Sequence, residues 1–375
     1  MSLILDTSRP EARPRAITAI PVRDEAERIG ACLEALGAQA GIAPGSSAVV
    51  LLVNNSSDGT IEVVRELAPR LAVPLRMVER NSPDANAGWA RRGAMDAAAD
   101  WLEEVGATDG VILTTDADSR VPPNWIALNL AAIAAGADGV AGQIALDEAD
   151  EARLPASLRE RGLLEETYER LLTELSARID PERHDPWPTH WSQSGASLAV
   201  TLAAYRRVDG MPAIALGDDR AFVSRLKAAD LIVRHTPEIV VATSGRLEGR
   251  AKGGVADTMR VRCEEPDCAC DGRLEPLSRA LYRYRWHRRL RLLGAQGQLG
   301  DTVLWAQPLE ISPAEVEKLL ATGRIGEVIE GVDATSPRLR SPTLRPSELP
   351  GQIKLAQAAV AAYRLRDRLL PPRGL

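Results

Sequence analysis

The chain has 375 residues, 45% of them hydrophobic and 26% charged, with a formal net charge of −6. Those proportions describe a globular protein of one large domain with an appendage, or of two domains. The acidic balance, and the lack of a basic stretch interleaved with aromatics in the first half, argue against a protein that coats nucleic acid. The start, MSLILDTSRPEARPR, lacks a basic residue followed by an apolar run and so does not read as a signal peptide. The longest apolar run, WIALNLAAIAAGADGVAG, is broken by Asn129, Gly136 and Asp138 and falls short of a membrane span of about 20 residues.

In chain order, AITAIPV reads as a strand and EAERIGACLEALGAQ as a helix, its apolar positions Ile29, Cys32, Leu33 and Leu36 falling at helical spacing. AVVLLVNN and LRMVER are further strands, DGTIEVVRELAPRL and AGWARRGAMDAAADWLEEVG further helices, and DGVILTTDAD a fourth strand. This alternation predicts an α/β fold with a doubly wound, mostly parallel sheet and helices on both faces. Such sheets bind ligands beyond the carboxyl ends of their strands. LPASLRERGLLEETYERLLTELSARID is a charged helix, PERHDPWPTHWSQSG a loop, and LIVRHTPEIVVATSG two short strand-like pieces around Pro237. From about Glu275 the chain is helical and arginine-rich. The run from Arg279 to Arg291 either packs Tyr282, Trp286 and Leu290 inward or touches anionic lipid.

The four cysteines are Cys32, Cys263, Cys268 and Cys270. Cys32 reads as a small core residue. The other three lack the second ligand pair of a structural zinc site, and with no disulfide framework the expected compartment is the reducing cytoplasm.

The first strand-to-helix turn, IPVRDEAE, contains no glycine, so both the dinucleotide fingerprint and the P-loop are missing. A phosphate-bearing ligand would then need another source of positive charge, and a divalent cation is the usual one. Asp116 and Asp118 end the fourth strand two residues apart, which puts both carboxylates on one face of an extended segment. Polar loops follow the other strands as well, with Arg23, Asp24 and Glu25 after the first and Asn54, Asn55 and Asp58 after the second. Asp24 and Asp58 also suit helix capping.

Five segments in order, IPVRDEAERIGACLEAL, VNNSSDGT, TTDADSRVPPNW, SGASLAVTLAAYRRVDGMP and LGDDRAFVSRL, resemble the motifs of glycosyltransferase family 2. The resemblance runs from about Ala16 to Met259. It implies a GT-A fold over about residues 1–275, with a nucleotide-sugar part near 16–145, an acceptor and catalytic part near 146–275, and a helical C-terminal extension over 276–375. It further implies an inverting transfer from a nucleotide-sugar donor to a hydroxyl acceptor with the help of Mn2+ or Mg2+. Peripheral contact with the inner face of a membrane is compatible with it.

Carried over by motif, Asp118 would ligate the cation, and Asp116 the ribose or the cation through water. Pro21, Arg23 and Glu25 match the nucleotide loop. Asn54 and Asn55 replace the family's aspartates, and an amide can still bond a base edge. Arg91 lies where a basic helix start faces the diphosphate, unless it is simply a solvated helix position. Asp219 would be the general base and Asp218 its neighbour, although both also suit the positive end of a helix. Gly195 would let a ligand approach the backbone. Arg246, Arg250 and Lys252 sit in a glycine-rich loop that would close over the diphosphate or stay exposed. The competing readings are a sugar-phosphate nucleotidylyltransferase, which would need a glycine-rich first loop, and an inactive relative that only binds a nucleotide sugar.

Overall fold

The computed structural model describes residues 2–8, 13–249 and 253–369. Its first elements are β1 (Ser2–Asp6), β2 (Ala16–Val22), α1 (Ile29–Gly37), β3 (Ser47–Val53), α2 (Thr60–Leu67), β4 (Leu75–Glu79), α3 (Ala87–Glu104) and β5 (Val111–Thr114). Next come α4 (Trp125–Ala134), β6 (Gly139–Leu146), α5 (Glu148–Glu151), α6 (Ala156–Ile179), β7 (Leu198–Thr201), α7 (Leu202–Arg207), α8 (Asp218–Ala228) and β8 (Val233–Thr243). The remainder is helical: α9 (Val255–Glu264), α10 (Leu277–Ala295), α11 (Pro313–Leu320), α12 (Ile325–Thr335) and α13 (Leu349–Leu369).

The chain divides into two compact units, one made of Met1–Arg153, Ser192–Leu226 and Leu231–Thr258, the other of Leu154–Trp191, Lys227–Asp230 and Met259–Leu375. The first holds one sheet in the order β1-β4-β3-β2-β5-β7-β6-β8. The neighbours β4, β3, β2 and β5 run parallel, as do β6 and β8, whereas β1 and β7 are antiparallel to their neighbours. The expected mostly parallel sheet is therefore present. Every residue of β3 is buried, as a strand covered on both faces requires. One face carries Ile20, Val22, Leu51 and Val53 packed with Leu33 of α1, Val64 of α2 and Trp125 of α4. On the other face α3 lies so close that a Cβ on Gly93 would meet the Leu52 side chain at 2.7 Å.

Two details depart from the sequence reading. The start of the chain forms an edge strand, β1, paired antiparallel with β4. Pro237 does not split β8 in two. It sits where the register with β6 shifts, between the pairs Thr236–Gly142 and Val240–Gln143, on the opposite edge of the sheet. A bulge on an edge strand is where proline costs no ladder hydrogen bond.

In the second unit, Tyr168, Leu172, Leu175 and Ile179 of α6 pack with Leu277, Ala280 and Tyr284 of α10 and with Ile353, Ala356 and Val360 of α13. The charged helix α6 thus shares a core with the C-terminal helices. Arg283 donates to Glu275 and Asp333, Arg288 to the Ile179 carbonyl, and Arg291 to Asp180 and Glu182. These three residues of the arginine run are spent on internal pairing, and Leu290 is fully buried. The cysteines are free. Cys32 is buried in the sheet unit, and the Cys268 sulfur accepts from Arg161 at 3.1 Å. None of the described helices is long and apolar enough to cross a membrane.

Candidate active site at the strand ends

The loops after β2, β3 and β5 emerge side by side, because β2 lies between β3 and β5. The chain winds outward from β2 to β4 and then returns to β5 on the other side. The crevice between β2 and β5 is the topological switch point of the parallel strands, where such sheets bind ligands.

The first two loops lock each other. Asp24, with φ of 51°, accepts from the Ser57 amide at 2.7 Å, and its own amide donates to Ser56 Oγ at 3.0 Å. Asp58 accepts from the amides of Ala26 and Thr60, both at 3.0 Å, and so ties the first loop to the start of α2, whose N-cap is Gly59 rather than the expected aspartate. Asn55 is committed to the loop after β4, its amide group bonded to both the Ser82 carbonyl and the Ser82 amide. That occupation opposes its expected role in reading a base. Asn54 is buried and extends the β2–β3 ladder through its amide to the Val22 carbonyl. Pro21 lies inside β2, opposite Leu52, and the side chain of Arg23 is exposed.

Beside these loops is a cavity of about 420 Å³ lined by Asp24, Glu25, Glu27, Arg28, Ser57, Asp58 and Arg246. Arg246 forks onto the buried Glu25 carboxylate and reaches Asp118 Oδ2 at 3.1 Å. The Arg246 guanidinium therefore bridges the first loop and the end of β5. Arg250 and Lys252 lie outside the described residues. Two contributors escaped the sequence reading. Arg28 pairs with Asp150 at 3.0 Å, and Asp150 also accepts from the Gly245 amide at 3.0 Å, anchoring the base of the segment that carries Arg246. An arginine three residues after Glu25 could have flagged Arg28, but no local pattern marks Asp150.

The two acidic pairs meet at Arg91. Its Nη2 donates to Asp116 Oδ1 at 2.8 Å and its Nε to Asp218 Oδ2 at 3.1 Å. Its Nη1 donates to the Gly195 carbonyl at 2.9 Å and to Thr114 Oγ1 at 3.2 Å. Arg91 is only 7% exposed, so it is neither a solvated helix position nor a free contact for a diphosphate. Burial alone would make it easier to deprotonate, but Asp116 and Asp218 outweigh this and keep it charged. The requirement for glycine at 195 has the same origin. A Cβ there would lie 2.3 Å from Arg91 Cζ, so the group approaching this backbone is the guanidinium rather than the expected ligand. Gly88 likewise brings the first turn of α3 against the loop before α8, where a Cβ would meet the Ile214 carbonyl at 2.1 Å.

Asp218 and Asp219 open α8. Asp218 is buried, and burial raises its carboxyl pKa, countered by Arg91 and reinforced by the charge of Asp219. Asp219 is half-buried and accepts from the Gly195 amide at 3.0 Å and from the Arg220 amide at 2.7 Å. Burial, followed by the charge of Asp116, raises Asp118 to about 6 against the pull of Arg246.

Among the described residues, no group of three or more histidine, cysteine, aspartate or glutamate side chains could hold a metal by itself. The donor set fits a cation that arrives with phosphates, since Mg2+ is commonly held by one or two carboxylates and completed by substrate oxygens and water. Asp118, half-buried and holding a proton more tightly than an ordinary carboxylate, is the residue that fits.

Residues 18–193, just under half of the chain, match the family model for glycosyl transferase family 2. No curated protein matches. Among solved structures, the chain is similar to the mannosyltransferase PcManGT from Pyrobaculum calidifontis in complex with GDP-Man and Mn2+, at 18% identity and a TM-score of 0.46, covering 97% of this chain and 89% of that one. It is similar to S. aureus TarS 1-349 in complex with UDP-GlcNAc at 13% identity and a TM-score of 0.45, over 85% of this chain and 89% of that one. A third likeness is to glucosyl-3-phosphoglycerate synthase from Mycobacterium tuberculosis in complex with phosphoglyceric acid, at 15% identity and a TM-score of 0.40, over 71% and 83% of the two chains. All three scores lie below 0.5, so the assignment rests on the family match and on the sheet itself.

Proposed function

We propose that the chain transfers a sugar from a nucleotide-sugar donor to an acceptor hydroxyl, with inversion at the anomeric carbon. The observation that carries this reading is the convergence of both acidic pairs on Arg91 at the switch point of a family 2 sheet. In each pair Arg91 takes one carboxylate, Asp116 or Asp218, while Asp118 meets Arg246 and Asp219 accepts from the Gly195 and Arg220 amides.

The nucleoside would enter the cavity beside Asp24, Glu25 and Arg28. Asp118 would hold a divalent cation, Mn2+ or Mg2+, that supplies positive charge to the donor diphosphate. Asp116 keeps a second oxygen for the ribose or for a water. Asp219 would take the proton of the acceptor hydroxyl as its oxygen attacks the anomeric carbon from the face opposite the diphosphate. Asp218, buried against Arg91, is less accessible for that task. A nucleotidylyltransferase is disfavoured by the first loop, which locks onto Ser56 and Ser57 and has no glycine to wrap a triphosphate.

The test is a panel of UDP- and GDP-sugars assayed for nucleoside diphosphate release with Mn2+, with Mg2+ and with chelator. The expected result is release from a subset of donors, dependent on cation and lost in Asp118→Ala. Product from an α-linked donor should be β-linked by proton NMR. No release from any donor, or product that retains the donor configuration, would refute the proposal.

A further inference from the structure

Asp116 and Asp219 belong to segments more than 100 residues apart, yet three hydrogen bonds, through the Arg91 side chain and the Gly195 backbone, join them. Arg91 donates to Asp116 and to the Gly195 carbonyl, and the amide of that same Gly195 donates to Asp219. Arg91 also holds Asp218, the neighbour of Asp219. We infer that Arg91 is a positioning residue that sets the donor-side carboxylates and the base-side carboxylate in one mutual geometry, rather than a contact for the diphosphate. The inference rests on the reading of Asp219 as the base.

The chemistry of the side chain supports it. A guanidinium presents five N–H donors in a fixed plane, and here four donor contacts reach two elements, β5 and α8, and two loops, at Asp116 and Gly195. A lysine ammonium is a single point with three donors and cannot span Asp116, Asp218 and the Gly195 carbonyl together. A carboxylate a fraction of an ångström out of place reacts more slowly even when substrate still binds. Displacing Arg91 should therefore slow turnover more than it weakens donor binding.

Two variants test this in the full chain with whichever UDP- or GDP-sugar the native protein hydrolyses. Arg91→Lys keeps the charge and loses the fork. Gly195→Ala keeps Arg91 but puts a Cβ 2.3 Å from its guanidinium carbon, forcing the fork to move. Both should lower kcat at least 10-fold and change donor KM less than 3-fold. Adding either to Asp219→Asn should cost less than a further 3-fold, because residues acting as one unit are not additive. A 10-fold rise in donor KM at unchanged kcat would make Arg91 a donor contact and overturn the inference. A full additional loss in the Asp219→Asn background would also overturn it. If Arg91→Lys unfolds, Gly195→Ala decides by the same criteria. If Asp219→Asn itself leaves turnover intact, the base assignment fails separately and the split between kcat and KM alone decides the role of Arg91.

Discussion

Both compact units bury carboxylates beside arginines, with different outcomes. In the helical unit pairing prevails over burial at several sites. Burial would raise Glu182, but His184 and Arg291 bring it down to about 2, and Asp333 is held low in the same way by His287 and Arg283. Glu174 is lowered by Arg364 and Arg178 despite its burial. Asp180 is the exception, raised by burial even with Arg291 beside it. At the strand ends Arg28 holds Asp150 low in the same way, but burial leaves Asp118 at about 6 and Asp218 raised in spite of Arg246 and Arg91. The helical unit largely settles its own charge, whereas the strand-end site is short of positive charge. A structural ion-pair network has no use for that shortfall, but a ligand that brings a cation does.

The largest effect that could break this comparison is on chemistry. Asp219→Asn should lower kcat by about 10²–10⁴, the usual contribution of a general base, with little change in melting temperature. Initial rates with a saturating donor measure it, and a loss below 10-fold would remove Asp219 from the mechanism.

The next is on stability and has an unusual sign. The folded pKa of Asp118 lies above its ordinary value of 3.8, so between about pH 4 and 6 the folded chain binds more protons than the unfolded one. Its contribution to stability is therefore best below that window and is lost as pH rises through it. Asp118→Asn should gain on the native chain by about 1–3 kcal/mol between pH 4 and pH 7 in urea unfolding. It should do so while losing donor turnover. A variant that loses stability on going to pH 7 would contradict the charge shortfall.

The smallest expected effect is in the helical unit, with the opposite slope. Glu182 is depressed from 4.5 to about 2, so its stabilisation is present at neutral pH and lost as pH falls through that interval. Glu182→Gln should cost about 1–2 kcal/mol at pH 7, discounted for partial exposure, and almost nothing near pH 2. Turnover should not change.

Much of the sheet was legible because strands buried on both faces read as unbroken apolar runs ending in polar loops. β2, β3 and β5 are such strands. The acidic pairs could be found for the same reason, since each marks the edge of a regular element. Arg91 could not be read this way. Charged side chains on helices are mostly exposed, and the partners that bury this one lie 25 and 127 residues away. Asp150 was hidden in the same manner, since its bond to the Gly245 amide spans 95 residues. β1 was missed because a short apolar segment before a proline-rich stretch gives no periodicity of its own.

The central claim is that the strand ends take a nucleoside diphosphate together with a cation at Asp118. Calorimetric titration of UDP and of GDP into the native chain and into Asp118→Asn, with Mn2+ and with chelator, tests it most directly. At least one nucleotide should bind the native chain 10-fold or more tighter with Mn2+, and Asp118→Asn should abolish this gain. Equal affinity with Mn2+ and with chelator, or a gain that survives in Asp118→Asn, would contradict it.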